Sequence, residues 1–196
     1  RRTAEKSIQN CRHTQTHQLC LILKQTITME NQEKNHNIDK VSIICAKGNL
    51  EDVYAALVLA NGAVMDGKEA KLFFTFFGLD AVIKKRMNKL QTATVGNPAL
   101  RMPNGARMPK LLGMIPGIQK MVSNMMKKQM DELDVPPVDE FLDMITAGGG
   151  EVYACQLAVD MFKVGQEDLT DHVSGILTVG EFYDKAAGEN AQIIFT

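Results

Sequence analysis

Cysteine thiols are the side chains of this 196-residue chain with the most specific chemistry to offer. There are four of them, Cys11, Cys20, Cys45 and Cys155. A cysteine thiolate is a nucleophile, and it can attack a sulfane sulfur and then hold that sulfur in a new S–S bond. Four unevenly spaced cysteines in a chain large enough for an ordinary core do not indicate a disulfide scaffold. They indicate a reducing compartment, and the predicted location is cytoplasmic.

Two of the cysteines belong to a pattern of zinc-ligand residue types near the N terminus. Cys11, His13, His17 and Cys20 form the sequence C-x-H-x3-H-x2-C. Thiolate and imidazole groups are the ligands that structural zinc prefers. This spacing fits no standard structural zinc site, so we predict no metal there.

The first part of the chain lacks the sequence patterns of a folded domain. Residues 1–28 are basic, begin with Arg1 and show no clear period, and a polar run follows Met29. Upstream translated sequence explains them better than a transit-like leader, although such leaders are also Arg-rich and acid-poor. We interpret residues 1–39 as an N-terminal extension and residues 40–196 as the folded domain.

The elements that must position the other two cysteines alternate between short β-rich runs and longer helical patterns, which is typical of a parallel sheet. Strands are predicted at 41–46, 70–77, 151–154 and 191–195. Helices are predicted at 50–66, 118–130, 138–147 and 156–163, and a last one begins at Thr178 with a capping-box sequence. The predicted fold class is α/β: a single domain with a mostly parallel sheet flanked by helices, flavodoxin-like layering and a helical insertion at 80–135.

Cys155 follows a predicted strand and precedes a predicted helix. In open parallel sheets, reactive groups gather at the carboxyl ends of the strands, and the free N–H groups of a following helix stabilise a thiolate. Free cysteine is also among the most buried residue types, so position alone does not separate a reactive Cys155 from a core one. Cys45 shares a strand face with Val41 and Ile43, which favours a core role, and it stays open as a resolving thiol.

Three parts of the chain resemble the DsrE/DsrF-like family, in particular its branch with a long Met- and Pro-rich insertion. They are Lys47–Glu51 with Leu59–Ala63, then Phe73–Leu79, and finally Val152–Gln156 with Asp160 and Met161. The resemblance covers nearly all of residues 40–196. It implies a sulfur carrier, or a sulfurtransferase, that holds sulfane sulfur or thiosulfonate on Cys155 and passes it to a partner thiol. It also implies a homo-oligomer and a partner of the TusA type, a small sulfur-carrier protein.

Two other polar side chains are weak candidates for assisting the thiol. Asp160 is expected to lie off the Cys155 face of its helix. His172 could act as a base if its loop folds near Cys155, but a lone loop histidine is usually solvated. A Gly-rich turn expected before the last helix is represented only by residues 173–177.

A basic segment interrupts a chain whose net charge is only −1. Residues 81–130 contain ten Lys and Arg, no Asp or Glu, and eight of the twelve Met. The predicted helix 118–130 carries an apolar stripe, which favours burial in the domain or an oligomer. Residues 100–130 are also the candidate contact with a partner protein or an anionic membrane surface. The cations lack interleaved aromatics, so nucleic acid is not a predicted partner.

Two other classes of function stay open. A non-catalytic adaptor would use residues 100–130 for docking. A nucleotide- or flavin-binding module suits the fold class, but the turn 47–49 is too short to cradle a phosphate, and Glu51 and Asp52 would repel an anion there. The sequence therefore predicts no cofactor, and Cys155 is the single predicted site residue.

Overall fold

A five-stranded, all-parallel sheet with strand order β4-β3-β2-β1-β5 is the centre of the domain in the computed structural model, which describes residues 38–93 and 117–196. The strands are β1 Lys40–Cys45, β2 Glu69–Phe74, β3 Glu151–Cys155, β4 Gly175–Leu177 and β5 Ala191–Phe195. The helices are α1 Leu50–Met65, α2 Ile118–Glu132, α3 Val138–Ala147, α4 Gln156–Phe162 and α5 Val179–Ala186. The predicted α/β class is confirmed. The N-terminal Cys/His pattern and the stretch 94–116 lie outside the described residues.

The direction of the crossovers decides which face of the sheet each helix covers. The chain steps from β1 through β2 to β3 in one direction, so right-handed crossovers place α1 and α3 on the same face. These two helices pack edge to face through Tyr54 and Phe141, whose ring centroids lie 5.8 Å apart. The return from β4 to the far edge at β5 places α5 on the opposite face. There Phe182 stacks on Phe73 with ring centroids 4.4 Å apart.

A row of charged side chains crosses the face that α5 covers. Lys71 of β2 is only 6% exposed. Its Nζ lies 2.6 Å from a carboxylate oxygen of Glu69 and also binds Glu151 on β3. A buried lysine is tolerated when carboxylates compensate its charge, so these ion pairs fix the neighbouring strands in register at their amino ends.

The predicted strand 70–77 is too long by three residues. β2 ends at Phe74, and the backbone N–H groups of Thr75 and Gly78 donate to carbonyl oxygens at the end of β1. Phe76 takes up the turn with a left-handed φ of 44°. A Cβ on Gly78 would collide with the carbonyl oxygen of Cys45, so only glycine permits this close approach.

The described part of the predicted insertion is integrated with the core. Two 3₁₀ helices, Phe76–Val82 and Met87–Lys89, follow β2 and bury the apolar side chains Leu79, Val82, Ile83 and Leu90. α2 packs on this segment, because Ser123 Oγ accepts from the Thr92 N–H at 2.8 Å and Lys127 donates to the Asn88 carbonyl at 3.0 Å. Among the described residues, no helix has both the length and the apolar character to cross a bilayer.

Candidate functional site

Cys155 lies where the sequence places it, at the carboxyl edge of the sheet. It is the last residue of β3 and the N-cap of α4, with extended backbone angles, and it pairs with Leu177 of β4. The 3₁₀ helix Phe76–Val82 packs against both β3 and α4. The thiol is free and the residue is only 1% exposed. Cys155 therefore has the expected position but is covered in this conformation.

Cys45 and Cys155 point to opposite faces of the sheet. Ile43 pairs with Leu72, and Leu72 pairs with Val152, so these three side chains share one face. Cys45 is two residues beyond Ile43 and lies on that same face, whereas Cys155 is three residues beyond Val152 and lies on the other. Strand β2 also separates the two cysteines. The structure thus does not bring Cys45 and Cys155 together.

The surroundings of Cys45 are those of a core residue. It is fully buried, and its Sγ donates a hydrogen bond of 3.5 Å to the carbonyl oxygen of Lys47. Burial raises the pKa of the Cys45 thiol above its ordinary value, because the thiolate would lose its hydration there. Cys45 is therefore held as a neutral thiol, in keeping with the predicted core role.

The two weak candidates for assisting the thiol have other hydrogen-bond partners. Asp160 accepts a 2.8 Å hydrogen bond from Gln156 on the exposed side of α4. His172 Nδ1 lies 3.4 Å from the hydroxyl oxygen of Thr146. Thr146 precedes the start of β3, so His172 lies at the opposite end of that strand from Cys155.

Four large apolar side chains are exposed on the elements that adjoin Cys155, and we call them the edge patch. They are Phe76, Phe77, Leu157 and Met161, with exposed fractions between 46% and 66%. The patch is continuous through Phe162, whose ring lies 5.7 Å from that of Phe77. This surface is not predicted from the sequence, because the apolar run 70–77 predicts a buried strand that continues to residue 77. The directly following Gly78 is the signal for an earlier turn.

A cleft of about 550 Å³ opens at the carboxyl ends of β1 and β2, and we call it the basic cleft. It is lined by the turn 47–49, Phe77, Asp80, Arg86, residues 89–91 and Gln119. Cys155 is not among the lining residues. No cluster of three or more His, Cys, Asp or Glu side chains suited to a metal ion occurs within residues 38–93 and 117–196.

Comparison with known proteins gives consistent matches. The model of the DsrE/DsrF/DrsH-like family matches residues 37–194. "Sulfur carrier protein DsrE2" of Allochromatium vinosum is 35% identical over 136 residues, which cover 68% of this chain and 84% of that protein. "Uncharacterized protein YrkE" of Bacillus subtilis is 26% identical over 140 residues, covering 68% of this chain and 83% of that protein. The family match runs from just before β1 into β5 and includes both described cysteines.

Proposed function

This chain belongs to the DsrE/DsrF/DrsH-like family, and we propose that it carries sulfur in a relay between proteins, with the transferred sulfur bound to Cys155. The observation that carries the proposal is the position of Cys155, a free thiol at the junction of β3 and α4. As the N-cap of α4, Cys155 adjoins the N–H groups of the first helical turn, which have no earlier helical partner.

Loading would be a thiol–disulfide exchange without net oxidation or reduction. The Cys155 thiol loses its proton to solvent, and the thiolate attacks a sulfane sulfur of the donor. An S–S bond forms to Cys155, the donor's own S–S bond breaks, and its electron pair leaves with the departing thiolate, with thiosulfate or, from a thiosulfate donor, with sulfite. Unloading repeats the exchange: a partner thiolate attacks the sulfane sulfur bonded to Cys155, and the Cys155 thiolate is the leaving group. The protein is a carrier in this scheme rather than an enzyme that turns over alone.

The burial of Cys155 implies a local opening before exchange. Attack on a donor needs an approach to the sulfur atom, and a residue 1% exposed offers none. The elements next to Cys155 are short: a three-residue strand, a seven-residue helix and a 3₁₀ helix that contains the strained Phe76. Short elements with few backbone hydrogen bonds open at low cost, so they are the parts we expect to move.

We further propose that the partner is a small thiol carrier of the TusA type and that the chain forms a homo-oligomer in the cytoplasm. The edge patch supports a protein partner, because exposed apolar side chains next to the thiol would gain from burial. Ile193 and Phe195 of the edge strand β5 are 51% and 67% exposed and support a subunit contact. The free thiols of Cys45 and Cys155 are typical of a reducing compartment.

Intact-protein mass spectrometry after incubation with tetrathionate tests the proposal. The reduced Cys11→Ser/Cys20→Ser protein, which keeps Cys45 and Cys155, is expected to gain one thiosulfonate group, with release of thiosulfate, and a reductant is expected to remove it. Cys155→Ser should abolish this gain within the domain, whereas the matched variant Cys45→Ser should retain it. Both variants would be made in a Cys11→Ser/Cys20→Ser background, so that only the described cysteines react.

Each outcome of this experiment has a clear reading. An adduct that survives Cys155→Ser and disappears with Cys45→Ser would show that Cys45, and not Cys155, carries the sulfur. No adduct on the folded wild type with tetrathionate, thiosulfate or an organic persulfide would refute the carrier function itself. Circular dichroism of each variant shows whether the loss of an adduct reflects loss of folding.

A further inference from the structure

The basic cleft is a site that the carrier chemistry does not use. Its volume of about 550 Å³ lies within the range of pockets that hold small organic ligands. A bare inorganic ion would leave most of this space unfilled. Cys155 does not line the cleft, so its ligand need not be the sulfur donor.

The charges that line the cleft favour an anion. Lys47, Arg86 and Lys89 face a single carboxylate, Asp80. Asp80 binds Nη1 of Arg86 at 2.8 Å, which orients the guanidinium and leaves its remaining N–H groups as donors. Lys89 is exposed and is the last residue of the 3₁₀ helix Met87–Lys89. A guanidinium beside ammonium groups is the side-chain set that recognises phosphate and other tetrahedral oxyanions.

The carboxylates expected to repel an anion here are held by hydrogen bonds and an ion pair. Glu51 accepts a 3.1 Å hydrogen bond from the N–H of Ala93. Asp52 accepts from the side chain of Asn49, and its carboxylate lies 3.4 Å from Nζ of Lys47. Neither Glu51 nor Asp52 lines the cleft. Asp52 weakens the field of Lys47 and Asp80 weakens that of Arg86, so Lys89 supplies most of the net charge of the lining and Arg86 supplies N–H donors.

The walls of the cleft are fixed by backbone contacts. Gly48 packs so closely on Phe77 that a Cβ would collide with the Phe77 carbonyl oxygen. On the other side, the Leu50 N–H donates to the Gln91 carbonyl at 3.0 Å. The cleft is therefore largely preformed, which lowers the entropic cost of binding. Phe77, which is 66% exposed, belongs both to the edge patch and to the lining of the cleft, and it is the aromatic residue beside the cations of the cleft.

We propose that the basic cleft binds a small organic anion whose charged group is a tetrahedral oxyanion, either a phosphate or a sulfonate. The oxyanion lies between Arg86 and Lys89, and the organic part packs on Phe77. Both groups are anionic and tetrahedral, so the probes of the experiment distinguish between them.

Isothermal titration calorimetry on the full chain at low ionic strength tests this site. The probes are adenosine 5′-monophosphate for the phosphate arm, cysteic acid, a sulfonate that does not react with thiols, for the sulfonate arm, and inorganic sulfate as the bare oxyanion. At least one organic probe is expected to bind, and Lys89→Gln is expected to weaken it about three- to fivefold, the effect of losing one solvent-exposed ionic contact. Lys85→Gln is the matched control, because Lys85 is 85% exposed in the same segment and does not line the cleft.

Binding of only one organic probe supports the site and identifies its source. The proposal is overturned if neither organic probe binds at millimolar concentration, or if Lys85→Gln weakens binding as much as Lys89→Gln. Sulfate that binds as tightly as the organic probes would overturn the role of Phe77. Failure here leaves the mass gain on Cys155 untouched, so the two proposals are separable.

Discussion

Oxidation of the folded protein is expected to give no disulfide between Cys45 and Cys155. The two residues lie on β1 and β3, with β2 between them. Strands are spaced about 4.8 Å apart, so their Cα atoms are separated by about 9.6 Å across the sheet. A disulfide needs a Cα separation below about 7 Å, with both side chains turned towards each other. The opposite orientations found here would require one strand to leave the sheet.

The assay uses the Cys11→Ser/Cys20→Ser variant and the oxidant diamide. After oxidation, excess blocking reagent is added under denaturing conditions and the blocked thiols are counted by intact mass. We expect two blocked thiols from protein oxidised in its folded state. Protein oxidised in concentrated urea is the control and should lose both thiols to a disulfide, since the unfolded chain has no sheet to separate them. A Cys45–Cys155 disulfide in the folded monomer would refute the register on which the one-thiol scheme rests.

Two stability predictions follow from the contacts of β2 and its following turn with the neighbouring strands β1 and β3. Gly78→Ala places a Cβ against a β1 carbonyl oxygen and is expected to cost about 2–4 kcal/mol in urea unfolding, whereas Gly62→Ala, in open space on α1, should stabilise by about 0.5–1 kcal/mol. Hydrogen bonds from Lys71 lower the pKa of Glu69 and Glu151 below 4.5. The stabilisation that these two carboxylates give the fold is therefore present above pH 4.5 and is lost as the pH falls through their lower folded pKa values. Lys71→Met should therefore reduce the pH dependence of the urea midpoint between about pH 5 and about pH 3. If the urea midpoint of Lys71→Met changes with pH as steeply as that of the wild type, the ion pairs of Lys71 do not stabilise the fold.

Much of the architecture could be predicted from local patterns. The helix 138–147 and the strand 191–195 have the predicted bounds, because Pro, Gly and polar residues mark both ends of each. The capping box at Thr178 is formed as predicted: Thr178 accepts from the Glu181 N–H at 3.3 Å, and Glu181 accepts from the Thr178 N–H at 2.8 Å. These signals are local, so a single sequence is enough to recognise them.

The features that were missed depend on tertiary contacts. β4 has three residues, Gly175–Leu177, and its pairing with β3 makes it a strand although its own composition does not. The turn at Thr75 interrupts an apolar run, and apolar runs do not reveal where a strand bends. The relation between Cys45 and Cys155 requires the register across β2, which no local pattern contains. The basic cleft likewise joins residues from three separate segments.

The packing around Cys155 has a mechanical consequence for any chain that carries cargo there. A sulfur atom added to a close-packed thiol must displace its neighbours, and overfilling a core position typically costs about 1–3 kcal/mol. The displacement would fall on the first turn of α4 and on β4, the shortest strand of the sheet. A loaded chain should therefore differ in shape from an empty one, with faster amide hydrogen exchange at these two elements. The loaded state would then be visible at the protein surface as a change in conformation, and an acceptor protein could distinguish loaded from empty carriers before any sulfur is transferred.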